Sequence, residues 1–312
     1  MGSRSRPRAG SLQFWPRKRA AKVLPSANWK PIHSKEEGVL GFIAYKAGMA
    51  SVAVKDLTDK SLTQNKQIVF PVTVLEVPAM KIYSVRFYKN GKVLTEIVVS
   101  NDKELKRKVK LGTLGSLEKA PKDFDDIRVI VYSLPKQTNI KKTPDVIELA
   151  IQSGNKLEFV KKLVGKELSL ADFSKSDLLD VRGLTIGKGT QGPIKRFGAS
   201  LRFHKSEKGL RKIGSIGPWH PARVTYQVAM AGQMGYFSRV VYNLKLVNSG
   251  KISENDINPK SGFPHYGKIK TSYVLVKGSV PGPAKRQILL TPSYRPTKMQ
   301  AKKKYEFLGV LQ

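Results

Sequence analysis

Apolar residues in this chain recur with a period of two more often than with a period near four. Val39–Tyr45, Ser51–Asp56 and Ile68–Val77 are short runs rich in β-branched and aromatic side chains, set apart by glycine, lysine and asparagine, and they predict strands. Asn90-Gly91 joins Ile82–Tyr88 to Val93–Val98, and this dipeptide is the strongest short hairpin signal. Ile127–Tyr132 predicts another strand. Asp145–Ser153 and Asn155–Val164 fit helical spacing better, the first placed behind Pro144, a residue suited to an opening helical turn. Leu178–Ile186, Ser272–Val276, Gln287–Leu290 and Glu306–Val310 return to the strand pattern. The expected fold is mainly β with an α+β insertion. Strands before residue 79 and after residue 178 are expected to close one barrel or sandwich.

Charge changes this picture. The 312 residues carry 57 Lys or Arg against 23 Asp or Glu, a formal net charge of +34. At 40% hydrophobic the chain can still bury a core, so the excess is not a mark of disorder. The bases are unevenly placed. Residues 1–35 hold nine and no acid, 36–78 hold four against five acids, and 79–180 hold twenty against fourteen. Residues 181–251 hold thirteen against Glu207 alone, and 252–312 hold eleven against three. Phe197, Phe203, Trp219, Tyr226, Tyr236 and Phe237 are threaded through the most basic run. Like charges at this density repel, and a polyanion of fixed shape supplies the missing countercharge; nucleic acid fits.

Enzyme-like signals are weak. Gly187-Lys188-Gly189-Thr190-Gln191-Gly192 matches a dinucleotide fingerprint, but Pro193–Gly198 follows with no helical apolar period, and no Ser or Thr follows Lys188 as a P-loop requires. The plainer use of these glycines is close backbone approach to phosphates. His33, His204, His220 and His265 show no paired metal spacing, and cysteine is absent. Asp123, Asp125 and Asp126 read as a solvated turn. No cofactor, metal or catalytic group is expected. No apolar stretch approaches the ~18–20 residues of a membrane span. Met1–Lys22 is Arg-rich without an apolar block, which favours a binding arm over a secretory signal. Gly217-Pro218-Trp219-His220-Pro221-Ala222-Arg223 stands apart: two prolines stiffen the backbone around a tryptophan inside a cationic stretch, as a small-core plug or as a rigid aromatic tip for an unstacked base.

Long ordered segments resemble the universal ribosomal protein three family of the large subunit, in its archaeal and eukaryotic form. They are Ser5–Leu12 with Pro16–Ala20, Gly41–Met49, Asp180–Gly183 with Lys188-Gly189 and Gln191–Arg196, Ser215–Val224, Ala231–Gly235, His265–Gly267 and Val276–Gly282. The resemblance implies a translation-factor-like closed β-barrel with an inserted α/β domain and long basic extensions. It implies a basic arm over 1–35, barrel parts over 36–78, 179–198 and 265–312, an insertion over 79–178, and a central extension with a tryptophan tip over 199–264. It further implies a cytoplasmic, non-enzymatic constituent of the large ribosomal subunit. Such a protein scaffolds 23S-type rRNA near the peptidyl-transferase centre, supports assembly and aminoacyl-tRNA accommodation, and sits beside ribosomal proteins fourteen and twenty-four-e. The family's extensions penetrate the RNA, and its peptide bond is made by RNA. Ala50-Ser51, Thr190 and Phe197 depart from the usual family residues. Glu207 stands where eukaryotic relatives carry a modifiable histidine, so no such methylation is expected here.

RNA contacts are therefore expected at Arg4, Arg6, Arg8, Arg17, Lys18, Arg19 and Lys22 of the arm, and at Lys188, Gly189, Lys195 and Arg196 of the glycine–lysine segment. They are expected at Arg202, Lys205, Lys208, Arg211, Lys212, Trp219, His220, Arg223 and Arg239 of the extension, and at Lys285 and Arg286 near the end. Two rivals remain: an rRNA-modifying enzyme, which would need an acid–base pair or cofactor site, and a free-standing nucleic-acid-binding module, which would act without ribosomes.

Overall fold

A computed structural model describes residues 15–121, 123–173 and 176–311. Arg4, Arg6 and Arg8 lie outside the described residues. The chain divides into two compact units: the residues through Lys22 with Leu184–Ser238, and Val23–Gly183 with the residues from Arg239 onward. The structure is mainly β.

The larger unit holds two antiparallel sheets. One has five strands in the order β1 (Gly38–Val39), β7 (Val146–Gln152), β6 (Asp126–Ser133), β4 (Met80–Lys89) and β5 (Lys92–Val98). The other has seven, in the order β13 (Gln287–Pro292), β8 (Leu178–Leu184), β11 (Ser238–Lys251), β12 (Ser272–Lys277), β3 (Gln67–Val77), β2 (Phe42–Asp56) and β14 (Tyr305–Leu311). β13 also pairs with β2, Gln287 opposite Tyr45 through Leu290 opposite Phe42, so six strands close into a ring. The second half of β2 pairs instead with β14, Asp56 opposite Tyr305. The ring therefore uses strands from before residue 79 and after residue 178, as the pattern indicated.

Several local expectations hold. Asn90 (φ 50°) and Gly91 (φ 74°) are both left-handed, the backbone that a tight two-residue hairpin requires. Helix α1 runs Lys156–Leu163, with the Asn155 side chain accepting from the Glu158 amide at 3.5 Å.

Three differ. Asp145–Ser153 is not a helix: β7 occupies it, with Leu149 opposite Val129 of β6 and Ile151 opposite Val39 of β1. Leu, Ala and Glu favour a helix locally, but Ile147, Leu149 and Ile151 alternate onto one buried face, and pairing on both sides decides the outcome. Val39–Tyr45 and Ser51–Asp56 are not separate strands flanking a turn. Phe42–Asp56 is one fifteen-residue strand whose register shifts between Lys46 and Gly48, a bulge with Ala47 as its extra residue. β11 occupies Ser238–Lys251, where the residue pattern predicts no strand.

One core joins the ring to the five-stranded sheet, with Phe42, Ile43, Tyr45, Leu289 and Leu290 packed together with Met80, Val131, Leu149 and Ile151. Each such side chain stabilises the fold by about 1.5–3 kcal/mol. Buried carboxylates fasten it. Tyr45 donates to Asp145 Oδ2 at 2.6 Å, and burial, followed by the Asp145 charge, pushes its hydroxyl pKa well up. Glu76, fully buried, accepts from the Lys270 amide at 2.8 Å, from the Thr271 amide and hydroxyl at 3.0 Å, and from the Tyr266 hydroxyl, fixing the segment before β12.

Burial pushes the Asp56 carboxyl up, yet hydrogen bonds from Thr58, Thr63 and Ser61 outweigh it and hold it down to about 2. A carboxyl depressed in the folded state stabilises above its unfolded pKa of about 4, and that contribution disappears as pH falls through the folded value. Asp56→Asn is expected to lower the thermal midpoint at neutral pH, with the deficit shrinking between about pH 4 and pH 2. Thermal melts across that range check it, and a deficit independent of pH would contradict it.

Candidate nucleic-acid interface

The smaller unit begins as a stem. Thr185 donates to the Phe237 carbonyl at 3.0 Å, and the Phe237 amide donates to Thr185 Oγ1 at 3.1 Å. Lys188 donates to Met234 O and Met234 to Gly189 O, both at 2.9 Å, and β9 (Thr190–Gln191) then pairs with β10 (Gly232–Gln233). Gly235 sits at φ 74°, and a Cβ there would stand 2.0 Å from the Ile186 carbonyl oxygen, so only glycine closes this stem. The arm joins this stem, its Ala20 amide donating to Tyr236 O at 2.9 Å.

Arg196 locks these parts. Its Nε donates to Gln233 O at 2.9 Å, its Nη1 to Met230 O at 2.9 Å and its Nη2 to Arg17 O at 3.2 Å. Arg17 answers, its Nη1 donating to Arg196 O at 2.5 Å. The Arg17 guanidinium lies 4.1 Å from the Phe197 ring centroid, and Trp15 stacks on Phe197 at 5.5 Å and 17°. Tyr226 meets Trp15 edge-on at 6.4 Å. Burial lowers the Arg196 pKa from its ordinary value. Both arginines thus act as internal struts, a role that charge counting did not separate from phosphate binding. The aromatic residues Trp15, Phe197 and Tyr226 that clamp the arm were legible only as aromatics interleaved with bases.

The glycine-rich segment is open on its outer side. Gly189 is left-handed at φ 62°, and no atom lies within 4 Å of where its Cβ would stand. Contrary to the sequence reading, a helix does follow: α2, Pro193–Phe197, ended by left-handed Gly198. It is one turn long and begins with proline, which has no amide to offer a pyrophosphate.

Beyond the stem, residues 200–226 are almost wholly exposed. Arg202 holds the base of this loop, its amide donating to Leu210 O at 3.1 Å and its guanidinium to Ile213 O. Lys205, Lys208, Arg211 and Lys212 all face solvent around the turn so formed. At the tip Trp219 is 88% exposed. It borders a shallow concavity of about 340 Å³ lined by Ile216, Pro218, Pro221, Arg223 and Val224. The Arg223 amide turns back to Pro221 O at 2.7 Å. A tryptophan this exposed is no core plug; it is an apolar surface awaiting a partner.

The expected residues thus separate by exposure. Lys18, Arg19, Lys22, Lys188, Lys195, Lys205, Lys208, Arg211, Lys212, His220 and Arg223 are exposed in the smaller unit, and Lys285 in the larger. Arg17, Arg196, Arg202, Arg239 and Arg286 are half-buried. Two further bases of the same run are buried in the larger unit: Arg182 donates to Thr291 Oγ1, and Lys245 Nζ lies 3.1 Å from Asp177. Among the described residues no cluster of metal-ligating side chains occurs, and no helix is long and apolar enough to cross a membrane.

The sequence matches the family model of ribosomal protein L3 over residues 1–110 and 86–307. The chain belongs to the ribosomal protein L3 family. The large ribosomal subunit protein uL3 of Methanocaldococcus jannaschii is 40% identical over 94% of this chain and 92% of its own length. The proteins of that name from Methanosphaera stadtmanae and Methanococcus vannielii are 40% and 41% identical, over 93% and 94% of this chain and 92% of their own lengths. The L3-family match spans both the stem and the exposed loop.

Arg196→Ala is expected to open the stem and speed chymotryptic cleavage at Trp15, Phe197 or Tyr226 several-fold, while Lys195→Ala, changing a side chain that faces solvent, leaves cleavage unchanged. Limited proteolysis of the two variants checks this, and equal resistance would contradict the strut role.

Proposed function

We propose that the chain is a structural constituent of the large ribosomal subunit, a cytoplasmic scaffold for rRNA rather than an enzyme. The observation that carries this reading is the loop of residues 200–226, studded with solvent-facing bases and carrying Glu207 as its one acid, built on a rigid stem in a member of the L3 family. Lys188, Lys195, Lys205, Lys208, Arg211, Lys212 and Arg223 neutralise phosphates, and Lys18, Arg19, Lys22 and Lys285 extend that contact. The open face at Gly189 lets a phosphodiester approach the backbone. Trp219 and His220 form the tip, where stacking on an unpaired base is worth ~1–3 kcal/mol.

The finer features rest on the resemblance. In this reading the six-stranded ring is a translation-factor-like barrel and β4 to α1 form the inserted α/β domain. The loop reaches toward the peptidyl-transferase centre of 23S-type rRNA and assists aminoacyl-tRNA accommodation, and ribosomal proteins fourteen and twenty-four-e are neighbours. The arm and loop reach their final shape on the RNA, which relieves their mutual repulsion.

Eleven phosphates neutralised by these bases imply a log–log slope of affinity against salt of about −8, of which the loop and stem supply about −5. Titration of the full chain with large-subunit rRNA at several salt concentrations measures it; a nearly flat response would contradict phosphate contact. Trp219→Ala is expected to weaken tRNA or factor binding by reconstituted large subunits more than it weakens the subunits themselves. Binding assays beside subunit melting compare the two, and the opposite ranking would remove the tip from this role.

A further inference from the structure

The stretch 79–180 looks unremarkable by charge, with twenty bases against fourteen acids. Its spatial arrangement is different. Lys103-Glu104-Leu105-Lys106-Arg107-Lys108-Val109-Lys110 places five bases in eight residues beside one acid. The segment opens as a 3₁₀ turn over Lys103–Arg107. Leu105 is fully buried, and Val109 and Leu111 pack on the same small core of Tyr83, Ile130, Tyr132 and Leu134. The amides of Lys108 and Val109 both donate to Leu105 O at 2.8 Å, fixing the bend. With the apolar side chains pinned inward, Lys103, Lys106, Arg107, Lys108 and Lys110 are all exposed.

The acids that would balance them are engaged elsewhere. Asp102 accepts from the Tyr132 hydroxyl and lies 3.8 Å from Lys81. Glu104 pairs with Lys136 at 2.6 Å. Among the described residues the ion pairs of these two carboxylates go to Lys81 and Lys136, not to any of the five bases. The segment is therefore neutral on its inner side and cationic on its outer side, a separation that a count along the sequence averages away. A 3₁₀ turn brings Lys103 and Lys106 to the same side, and the exposed Arg107, Lys108 and Lys110 follow directly along the chain.

We propose that the ridge of Lys103, Lys106, Arg107, Lys108 and Lys110 is a second phosphate-binding surface for RNA, in the larger unit and built from other residues than the stem and loop. Its ligand is the phosphodiester backbone, recognised by charge rather than by base. Aromatic side chains are absent from Lys103–Lys110, which distinguishes the ridge from the Trp219 tip.

This inference rests on the proposed rRNA-scaffolding function, and the test separates the two. The full chain carrying Lys106→Gln, Arg107→Gln, Lys108→Gln and Lys110→Gln is titrated with large-subunit rRNA over a range of salt concentrations. A parallel variant carries Lys205→Gln, Lys208→Gln, Arg211→Gln and Lys212→Gln. Loss of four phosphate contacts flattens the log–log slope by about 3. The ridge variant is expected to show that flattening with an unchanged melting temperature. If the loop variant flattens and the ridge variant does not, the ridge is no RNA surface and faces solvent or an acidic protein, while the proposed function stands. If neither flattens, the proposed function falls with it. Should the ridge variant fold poorly, the cysteine-free chain allows a unique Lys108→Cys tether for an iron chelate. Cleavage of rRNA near that tether in assembled subunits supports the ridge, and none there beside strong cleavage from Lys205→Cys overturns it.

Discussion

Carboxylates are scarce in this chain, and the fold buries several as acceptors for its own backbone and hydroxyl groups. Asp180, fully buried, takes the amides of Asn243 at 2.9 Å and Tyr294 at 3.0 Å. Glu76 fixes the segment before β12, Asp145 receives Tyr45, and Asp56 closes the turn after β2. A buried carboxylate is tolerable only when hydrogen-bonded in this way. Four of the 23 acids are thus drawn inward, which adds to a surface excess of bases that composition already sets, and their repulsion is lowered only by solvent ions or by a polyanion.

The smaller unit shows how a cationic segment holds a shape without acids. Its stem relies on backbone pairing, on one obligatory glycine at position 235, and on guanidinium groups aimed at carbonyl oxygens. Carbonyl dipoles satisfy Arg196 without neutralising it, so the stem remains positive while it becomes rigid. Loop residues beyond Gly198 are then presented from a fixed base, with Arg202 bracing the first turn. A fixed base lowers part of the ordering cost of binding, and the exposed tryptophan adds contact area with few rotatable bonds. An L3-family scaffold for rRNA needs these properties together.

Much of this was legible in the residues. Alternating β-branched runs located nine of the strands, two runs falling in β2, and Asn90-Gly91 located the hairpin. The cationic loop and its tryptophan stood out from charge and proline placement alone. What was hidden depended on partners distant in sequence. Val146–Gln152 reads as a helix until β1 and β6 flank it. β11 is masked by Arg239, Asn243, Lys245 and Asn248, whose polar groups find partners only in the folded unit, as Lys245 does with Asp177. Arg17 and Arg196 look like any other bases in a basic run, and 179 residues separate them. The ridge at residues 103–110 was passed over because a count over all of 79–180 averages its five bases with acids farther along the chain.

The central claim is that these cations are arranged for the RNA of the large subunit. Sedimentation of a cell extract containing the tagged full chain, through sucrose with a high-salt wash, tests it most directly. The protein should travel with large subunits and remain with them after the wash, because contacts buried among RNA helices are shielded from added salt. Recovery at the top of the gradient, or release from the particles at moderate salt, would contradict the account.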